Sequence, residues 1–148
     1  MNEIRNPHTV EKTAQCILRM EELKLLSGSY VTFWEDLPRE EQVLVDFLRH
    51  LVIKTLPGYC QEKISNGVPY FFGKKRICLI WPASIKGGGV KQGVLFGFSY
   101  GCLLDDPEGY LDHGTNKRIY YKIYKSLEEI DPIALTRLLH KAVILDSL

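Results

Sequence analysis

The apolar segments in the middle of the chain follow one another too closely to form anything but an antiparallel sheet. Between Cys60 and Tyr100 short apolar or alternating segments succeed each other with no helical pattern between them. A parallel pair of strands needs a crossover of about a dozen residues or more, which is usually a helix. We therefore expect neighbouring strands here to pair antiparallel.

Five segments are predicted to be strands. Asn66-Gly67 separates the first two and is the strongest signal for a two-residue hairpin turn. Proline has no N–H, so Pro69 marks the second strand as an edge or a bulge, and Pro82 should end the pairing of the third. The third is a nearly continuous apolar run, as expected of a central strand. The segments are residues 59–65, 68–72, 76–81, 94–98 and 118–123.

Two amphipathic helices are predicted to flank the sheet. The first covers residues 36–56, with Asp36 as a plausible cap and Pro57-Gly58 at its end. The second begins at Asp131-Pro132, a cap followed by a residue suited to the first helical position, and the Ser126 to Glu129 spacing predicts a short helical turn before it. The apolar stripes, at helical spacing, are Leu44, Phe47, Leu48, Leu51, Val52 and Leu135, Leu138, Leu139, Ala142, Val143.

These elements predict an α+β fold, a two-layer domain in which an antiparallel sheet of about five strands is covered on one face by N- and C-terminal amphipathic helices. We expect that domain to span residues 35–148. Residues 1–34 are predicted to form an arm that is helical over residues 9–26, ended by Ser27-Gly28-Ser29, and that packs on the domain or on a neighbouring subunit.

Composition removes several classes of function. The 148 residues carry 19 Lys+Arg against 18 Asp+Glu, a net charge of +1. Nucleic acids and anionic membrane surfaces both attract a clear basic excess, so we expect neither as a partner. No apolar run approaches the roughly 18 residues of a membrane helix, and the first ten residues contain no secretory signal. We therefore expect a cytoplasmic protein.

Cysteines and histidines are too scattered to define a metal site or a nucleophile. Cys16, Cys60, Cys78 and Cys102 match no zinc or redox spacing and are expected to be small core residues. His50 and His140 are expected on solvated helix faces. Because no nucleophile, base and orienting group can be assembled, whether the chain is an enzyme stays open, with the balance against it.

Two loops carry residue types that bind ligands elsewhere. The glycine-rich loop from Lys86 to Lys91 lacks the frame of a phosphate-binding loop and is expected to be a hairpin tip. A second loop gathers carboxylates and an imidazole, which hard cations and Fe(II) accept, but lacks the EF-hand order and is expected to be a solvated turn. Its candidate metal ligands are Asp105, Asp106, Glu108, Asp112 and His113. Glu40, Glu41 and Asp46 are likewise expected on a solvated helix face.

Aromatic residues are concentrated on the predicted strands. If helices cover only one face of the sheet, the aromatic positions on the other face form an exposed apolar patch, which commonly marks a ligand groove or a subunit interface. We expect a binding site there or at the first hairpin. Its candidate residues are Glu62, Lys63, Asn66, Tyr70, Trp81 and Tyr100.

The order of these motifs resembles the YdhG-like domain-of-unknown-function family. The resemblance covers about residues 36–146 and is carried by Leu37-Pro38, Leu56-Pro57, the Glu-Lys-Ile-Ser-x-Gly-x-Pro-Tyr segment 62–70, Gly73-Lys74-Lys75, Asp106-Pro107-Glu108-Gly109 and the Ser-Leu-Glu-Glu-Ile-Asp segment 126–131. It implies a compact α+β domain with an antiparallel sheet. Some members are described as frataxin-like intracellular iron chaperones.

Together these observations predict a non-enzymatic binding module without a cofactor. It would take a small ligand or a protein partner at the sheet face, and a homodimer is a further option. The alternative that the resemblance implies is an iron chaperone, which would hold Fe(II) with the five ligands of the acidic loop.

Overall fold

The computed structural model describes residues 28–148, which form an α+β fold of three helices and a five-stranded antiparallel sheet. The predicted helix over residues 9–26 lies outside the described residues. In chain order the elements are α1 (Gly28–Glu35), α2 (Arg39–Thr55), β1 (Gln61–Ser65), β2 (Val68–Phe72), β3 (Arg76–Pro82), β4 (Val94–Phe98), β5 (Tyr120–Tyr124) and α3 (Pro132–Asp146). Short 3-10 turns cover Gly101–Leu103 and Leu127–Glu129.

The five predicted strands are confirmed and follow each other in the sheet in the order β1-β2-β3-β4-β5. Asn66 and Gly67 both have positive φ, 55° and 83°, as the hairpin turn between β1 and β2 requires. The expectation for Pro69 needs correction, since β2 has a neighbour on each side and its bulge lies between Phe71 and Phe72. Pro82 is the last residue of β3 and forms its last pair, with Val94, as expected of a strand end.

The sheet register explains how an internal strand accommodates a proline. The two-residue hairpin turn makes Ser65 and Val68 a hydrogen-bonded pair, so the nitrogen of Pro69, one residue later, points away from β1 and towards β3. Pairing of β2 with β3 begins only at Tyr70. Because Tyr70 pairs with Leu79, Pro69 lies opposite Ile80 at the end of this ladder, so the missing N–H removes only a terminal bond.

The two predicted helices are confirmed, with one change at an end. α2 begins at Arg39, not near Asp36, and no side chain caps it, because residues 36–38 form the tight connection from α1. α3 begins at Pro132, and the Asp131 carboxylate accepts the Ala134 N–H at 3.1 Å, as a cap does. All five residues of the predicted α2 stripe are buried.

Helix α1 was not predicted, because Gly28 was expected to end a helix and instead begins one. Tyr30 and Phe33 are buried in the core shared with α2 and the sheet. The sequence does contain a pattern that indicates this helix. Its apolar residues follow the i, i+3, i+4, i+7 spacing of an amphipathic helix, at Tyr30, Phe33, Trp34 and Leu37.

The register divides the strand side chains between two faces. Cys78 pairs with Phe98 and Ile80 with Phe96, and all four are fully buried on what we call the first face. Alternate residues, among them Leu79 and Trp81, lie on the second face and are nearly as well buried. α2 and α3 contact each other, and both contact β3. The central strand is thus shielded from water on both sides.

A loop covers the indole of Trp81 on the second face. Residues 83–93, which we call the strap, connect β3 to β4 as the predicted hairpin tip. Trp81 is only 9% exposed and its Nε1–H donates to the Ile85 carbonyl at 2.8 Å. A Cβ at Gly88 would overlap the indole ring. The aromatic patch expected to be exposed at this point of the sheet is therefore covered.

A buried carboxylate ties the end of α3 to the β2–β3 turn. Asp146 is 4% exposed and its two oxygens accept the backbone N–H groups of Lys74 and Lys75 at 2.8 and 2.7 Å. Hydrogen bonds to a charged acceptor contribute more than neutral ones, and a buried acceptor without donors is costly. This contact holds the C-terminal end of α3 against the β2–β3 turn.

Replacing Asp146 by asparagine should lower the free energy of unfolding by about 1–3 kcal/mol, because an amide cannot accept both N–H groups. Urea denaturation of the full chain measures this. Asp105→Asn removes an exposed carboxylate and serves as the matched control, with an expected change within about 0.5 kcal/mol. Equal effects of the two substitutions would contradict the role of Asp146.

Gly88→Ala should displace the strap, since the added methyl group overlaps the indole of Trp81. We expect a red shift of the tryptophan fluorescence and stronger quenching by acrylamide. Gly58→Ala is the control, because a Cβ there meets nothing within 4 Å. An unchanged spectrum for Gly88→Ala would mean that the strap does not shield Trp81.

Candidate functional site

A buried ion pair joins α2 to the edge strand β1. Arg49 is 1% exposed, and its Nε and Nη2 atoms donate to the Glu62 carboxylate at 2.7 and 2.6 Å. The guanidinium carbon lies 4.2 Å from the centre of the Tyr30 ring. This two-pronged geometry, with an aromatic ring on the guanidinium, suits arginine and would not suit lysine.

Glu62 was predicted to be a binding residue, whereas Arg49 had no predicted role. Arg49 directly follows Leu48 of the apolar stripe and lies four residues after the buried Val45. The sequence therefore contained a sign that Arg49 is special, namely a cation at a position where the helix pattern requires burial. The partner itself could not be read from the sequence, since Glu62 lies on another element.

A groove opens beside this ion pair, between the last turns of α2 and the beginning of β1. Its volume is about 230 Å³. We call it the α2–β1 groove, and it is mostly apolar, with Glu62 as its charged member. It is lined by Val52, Ile53, Leu56, Pro57, Gly58, Cys60, Gln61, Glu62 and Phe71. Ile53 is a large apolar residue with 41% of its surface exposed.

Cys60 contributes a protonated thiol to the groove. Burial raises the pKa of Cys60 above its ordinary value, and the Asp146 carboxylate raises it further. A reactive cysteine needs a lowered pKa, because the thiolate is the nucleophile. Cys60 therefore contributes apolar surface to the groove and is not a nucleophile there.

Among the described residues, β1 has a neighbouring strand on one side only. β1 is the terminal strand of the sheet, and the pairs Ser65–Val68 and Lys63–Tyr70 face each other across the hairpin. Since hydrogen-bonded pairs alternate from the turn, the backbone groups of Glu62 and Ile64 point away from β2. No strand within residues 28–148 pairs with them.

The opposite edge of the sheet is partly covered. On β5, Tyr121 exchanges two backbone hydrogen bonds with Asp112, at 2.7 and 2.8 Å. This isolated bridge occupies the outward backbone groups in the middle of β5. With respect to the described part of the chain, the two edges of the sheet are therefore unequal, and the edge of β1 is the more accessible one.

The predicted binding residues of the hairpin lie on different faces. Glu62 points to the first face and to Arg49, whereas the Lys63 ammonium lies on the second face, 5.4 Å from the centre of the Phe72 ring. At the turn, the Asn66 amide lies 3.4 Å from the Tyr70 hydroxyl. Tyr70 is buried.

The remaining two predicted binding residues lie elsewhere. Trp81 is under the strap, and Tyr100 follows β4 at the other end of the sheet, half-buried, with two cations near its ring. The six candidates thus do not form one surface. Only Glu62 borders the α2–β1 groove.

Asp106 of the acidic loop serves as a turn-forming residue. Its carboxylate oxygens accept the backbone N–H groups of Tyr110 and Leu111 at 3.0 and 2.9 Å. An aspartate that accepts N–H groups four and five residues later closes a local turn. This is the arrangement predicted for a solvated turn.

The other four acidic-loop candidates do not converge. Asp105 accepts from the Lys141 ammonium, at 2.6 Å through its carbonyl and 3.5 Å through its carboxylate. Asp112 pairs with β5, His113 stacks on Tyr120 with ring centres 4.6 Å apart, and Glu108 is exposed. In the part of the chain that the structure describes, no group of three or more His, Cys, Asp or Glu residues could hold a metal ion.

Two sequence expectations about buried residues are corrected. Asp46, expected on a solvated face, is buried in α2, as is Arg49 three residues later. Among the cysteines, Cys78 is buried as expected, Cys60 is half-buried and Cys102 is exposed. Cys16 lies outside the described residues.

No family model, curated protein or solved structure matches this chain. The resemblance to the YdhG-like family therefore rests on its motifs and stays a prediction. None of the described helices is long and apolar enough to cross a membrane.

Removing one member of the Arg49–Glu62 pair should destabilise the fold more than removing both. Glu62→Gln leaves a buried guanidinium without its counter-ion, at an expected cost of about 2–3 kcal/mol in the free energy of unfolding. The double variant Arg49→Met, Glu62→Gln should recover part of that loss. A double-mutant cycle by urea denaturation measures the coupling, and additive effects would contradict it.

Proposed function

We propose that this chain is a non-enzymatic binding module, of the YdhG-like kind that its motifs resemble, which captures an extended peptide segment of a protein partner. The segment would add a strand to the open edge of β1 and insert an apolar side chain into the α2–β1 groove. One observation carries the proposal: the groove lies directly beside a strand edge whose backbone groups point outward.

Strand addition to a sheet edge is a general mode of peptide recognition. Backbone hydrogen bonds supply affinity, and pockets for alternate side chains supply specificity. A peptide residue opposite Glu62 would point to the first face, where the groove lies. The next residue would lie opposite Lys63, whose exposed ammonium favours an acidic side chain. The expected peptide therefore alternates apolar and acidic residues.

The size of the groove favours one side chain over a whole small molecule. Sites for drug-sized ligands usually measure about 300–1,000 Å³ and enclose most of the ligand. The α2–β1 groove, at about 230 Å³, is smaller than that. A valine or leucine side chain attached to a peptide backbone fits such a volume better.

The proposal includes the arrangement of the helices. We infer that α2 and α3 cover the first face and leave the outer edge of β1 accessible. Support comes from the contacts of both helices with β3, from the reach of Arg49 to Glu62, and from the complete burial of first-face residues such as Ile80 and Phe96.

Binding without catalysis is supported by the state of the groove's polar groups. Glu62 is fixed by Arg49, and the Cys60 thiol is held protonated by its surroundings. Neither is poised as a base or nucleophile.

The iron-chaperone alternative has no comparable observation behind it. Asp106 uses both carboxylate oxygens for the turn, and its loop neighbours point to separate partners. A binding site in the middle of the second face also has less support than one at the β1 edge, because the strap covers Trp81 there.

The test uses a synthetic seven-residue peptide that alternates valine with glutamate, and a scrambled peptide of the same composition. Titration of the ¹⁵N-labelled full chain should shift the amide signals of Glu62, Ile64 and the groove residues for the alternating peptide. Ile64→Pro removes one outward N–H without touching the β1–β2 bonds, and should weaken binding about tenfold. Ile64→Val keeps that N–H and is the matched control.

A second pair of variants tests the groove. Ile53→Glu should weaken the alternating peptide because it places a charge in the apolar groove, while Ile144→Glu makes the same change at an exposed residue of α3. The proposal fails if both peptides shift the same signals, if Ile64→Pro binds as well as Ile64→Val, or if the shifts map to the strap.

A further inference from the structure

A small cleft lies between α3 and the first part of the acidic loop, residues 105–110. Its volume is about 80 Å³, and we call it the loop–α3 cleft. Lys141 follows Leu138 by three residues and Arg137 by four, so these three residues lie on one side of the helix. The residues that line the cleft include Asp105, Glu108, Tyr110, Arg137, Leu138 and Lys141.

The two walls of the cleft carry opposite charges. The loop wall has the carboxylates of Asp105 and Glu108, and the helix wall has the Arg137 guanidinium and the Lys141 ammonium. Lys141 and Asp105 form an ion pair, with 3.5 Å between the ammonium and the carboxylate. Among the described residues, Arg137 and Glu108 form no ion pair, either with each other or with another group. Two opposite charges therefore border one cavity without neutralising each other.

The cleft also has an apolar part. Leu138 is 4% exposed and the Tyr110 ring is half-buried. Charges attract each other more strongly beside such a low-dielectric surface than in open water. A charged ligand group in the cleft therefore interacts with Arg137 or Glu108 more strongly than it would on a flat, fully solvated surface.

Hydrogen bonds hold both walls of the cleft in place. The Lys141 ammonium donates to the Asp105 carbonyl at 2.6 Å, which joins the helix to the beginning of the loop. The Asp106 carboxylate accepts the Tyr110 N–H at 3.0 Å, and the Tyr110 hydroxyl lies 2.6 Å from that of the buried Tyr124. A ligand that enters the cleft therefore has little chain to order, which lowers the cost of binding.

We propose that the loop–α3 cleft binds a small zwitterion, an amino acid of the size of glycine or β-alanine. The ligand carboxylate pairs with Arg137, whose planar pair of donors matches carboxylate oxygens, and the ligand ammonium pairs with Glu108. The helix wall repels a metal cation and the loop wall repels a phosphate dianion, so a ligand with both charges suits the cleft best.

The volume of the cleft limits the size of this ligand. A water molecule occupies roughly 30 Å³ of the liquid, so a cavity of about 80 Å³ holds only a few non-hydrogen atoms. The cleft shares no lining residue with the α2–β1 groove. The zwitterion site is therefore independent of the peptide site, and each can fail without the other.

The test titrates the ¹⁵N-labelled full chain at low ionic strength with glycine and β-alanine. Two further ligands each carry one of the two charges: glycinamide is a cation and N-acetylglycine is an anion. The zwitterions should give saturable shifts of the Glu108 and Arg137 amide signals. Glycinamide and N-acetylglycine should bind at least about tenfold more weakly, because each leaves one charge of the cleft without a partner. The tighter of the two zwitterions reports the spacing between the charges.

Single variants assign each charge to its partner. Arg137→Gln should weaken glycine about tenfold and make it bind no better than glycinamide, while Glu108→Gln should make glycine bind no better than N-acetylglycine. Both residues are exposed, so the variants should fold. Arg39→Gln and Glu40→Gln remove the same charges at exposed positions of α2 and should change the affinity less than about twofold.

Three outcomes would overturn the proposal. One is that glycinamide or N-acetylglycine binds the unaltered chain as tightly as the zwitterions do. Another is that the control variants at positions 39 and 40 weaken glycine as much as Arg137→Gln and Glu108→Gln. The third is that the shifts never saturate or do not involve the cleft.

Discussion

The burial of β3 on both faces is the constraint around which the described chain is organised. A central strand must have its backbone groups paired by two neighbours and its side chains removed from water on both sides. β2 and β4 supply the pairing, and α2 and α3 both contact the strand. On the second face the strap lies against Trp81, and glycine at position 88 is needed because a side chain would overlap the indole.

Among the described strands β1 has one neighbour only, and the Arg49–Glu62 pair lies at this edge of the sheet. A buried guanidinium is costly without a counter-ion, so Glu62 must stay close to α2. The pair thereby holds the beginning of β1 beside the end of the helix, and the α2–β1 groove is the space between them. Its polar border and its shape both depend on this contact, which also explains why a charged residue is retained inside an apolar helix face.

The candidate sites differ in how far sequence reasoning could predict them. The acidic loop was correctly expected to be a turn, because Asp106 bonds to N–H groups only four and five residues away. Most aromatic residues were placed on strands correctly, although Tyr100 lies after β4, but their exposure depends on what covers the sheet. Tyr70 is buried, Trp81 lies under the strap, and Tyr100 has two cations near its ring. No local sequence pattern distinguishes these three environments.

By itself the sequence determined the features that arise from near neighbours. Helical and two-residue periodicities defined α2, α3 and the five strands, and Asn66-Gly67 defined the first turn, because backbone geometry and side-chain burial act over a few residues. The tertiary structure alone decided which distant side chains meet: Arg49 with Glu62, 13 residues apart, and Asp146 with Lys74, 72 residues apart. Such contacts depend on how whole elements pack against each other, and periodicity records only that a residue is buried, not what it is buried against.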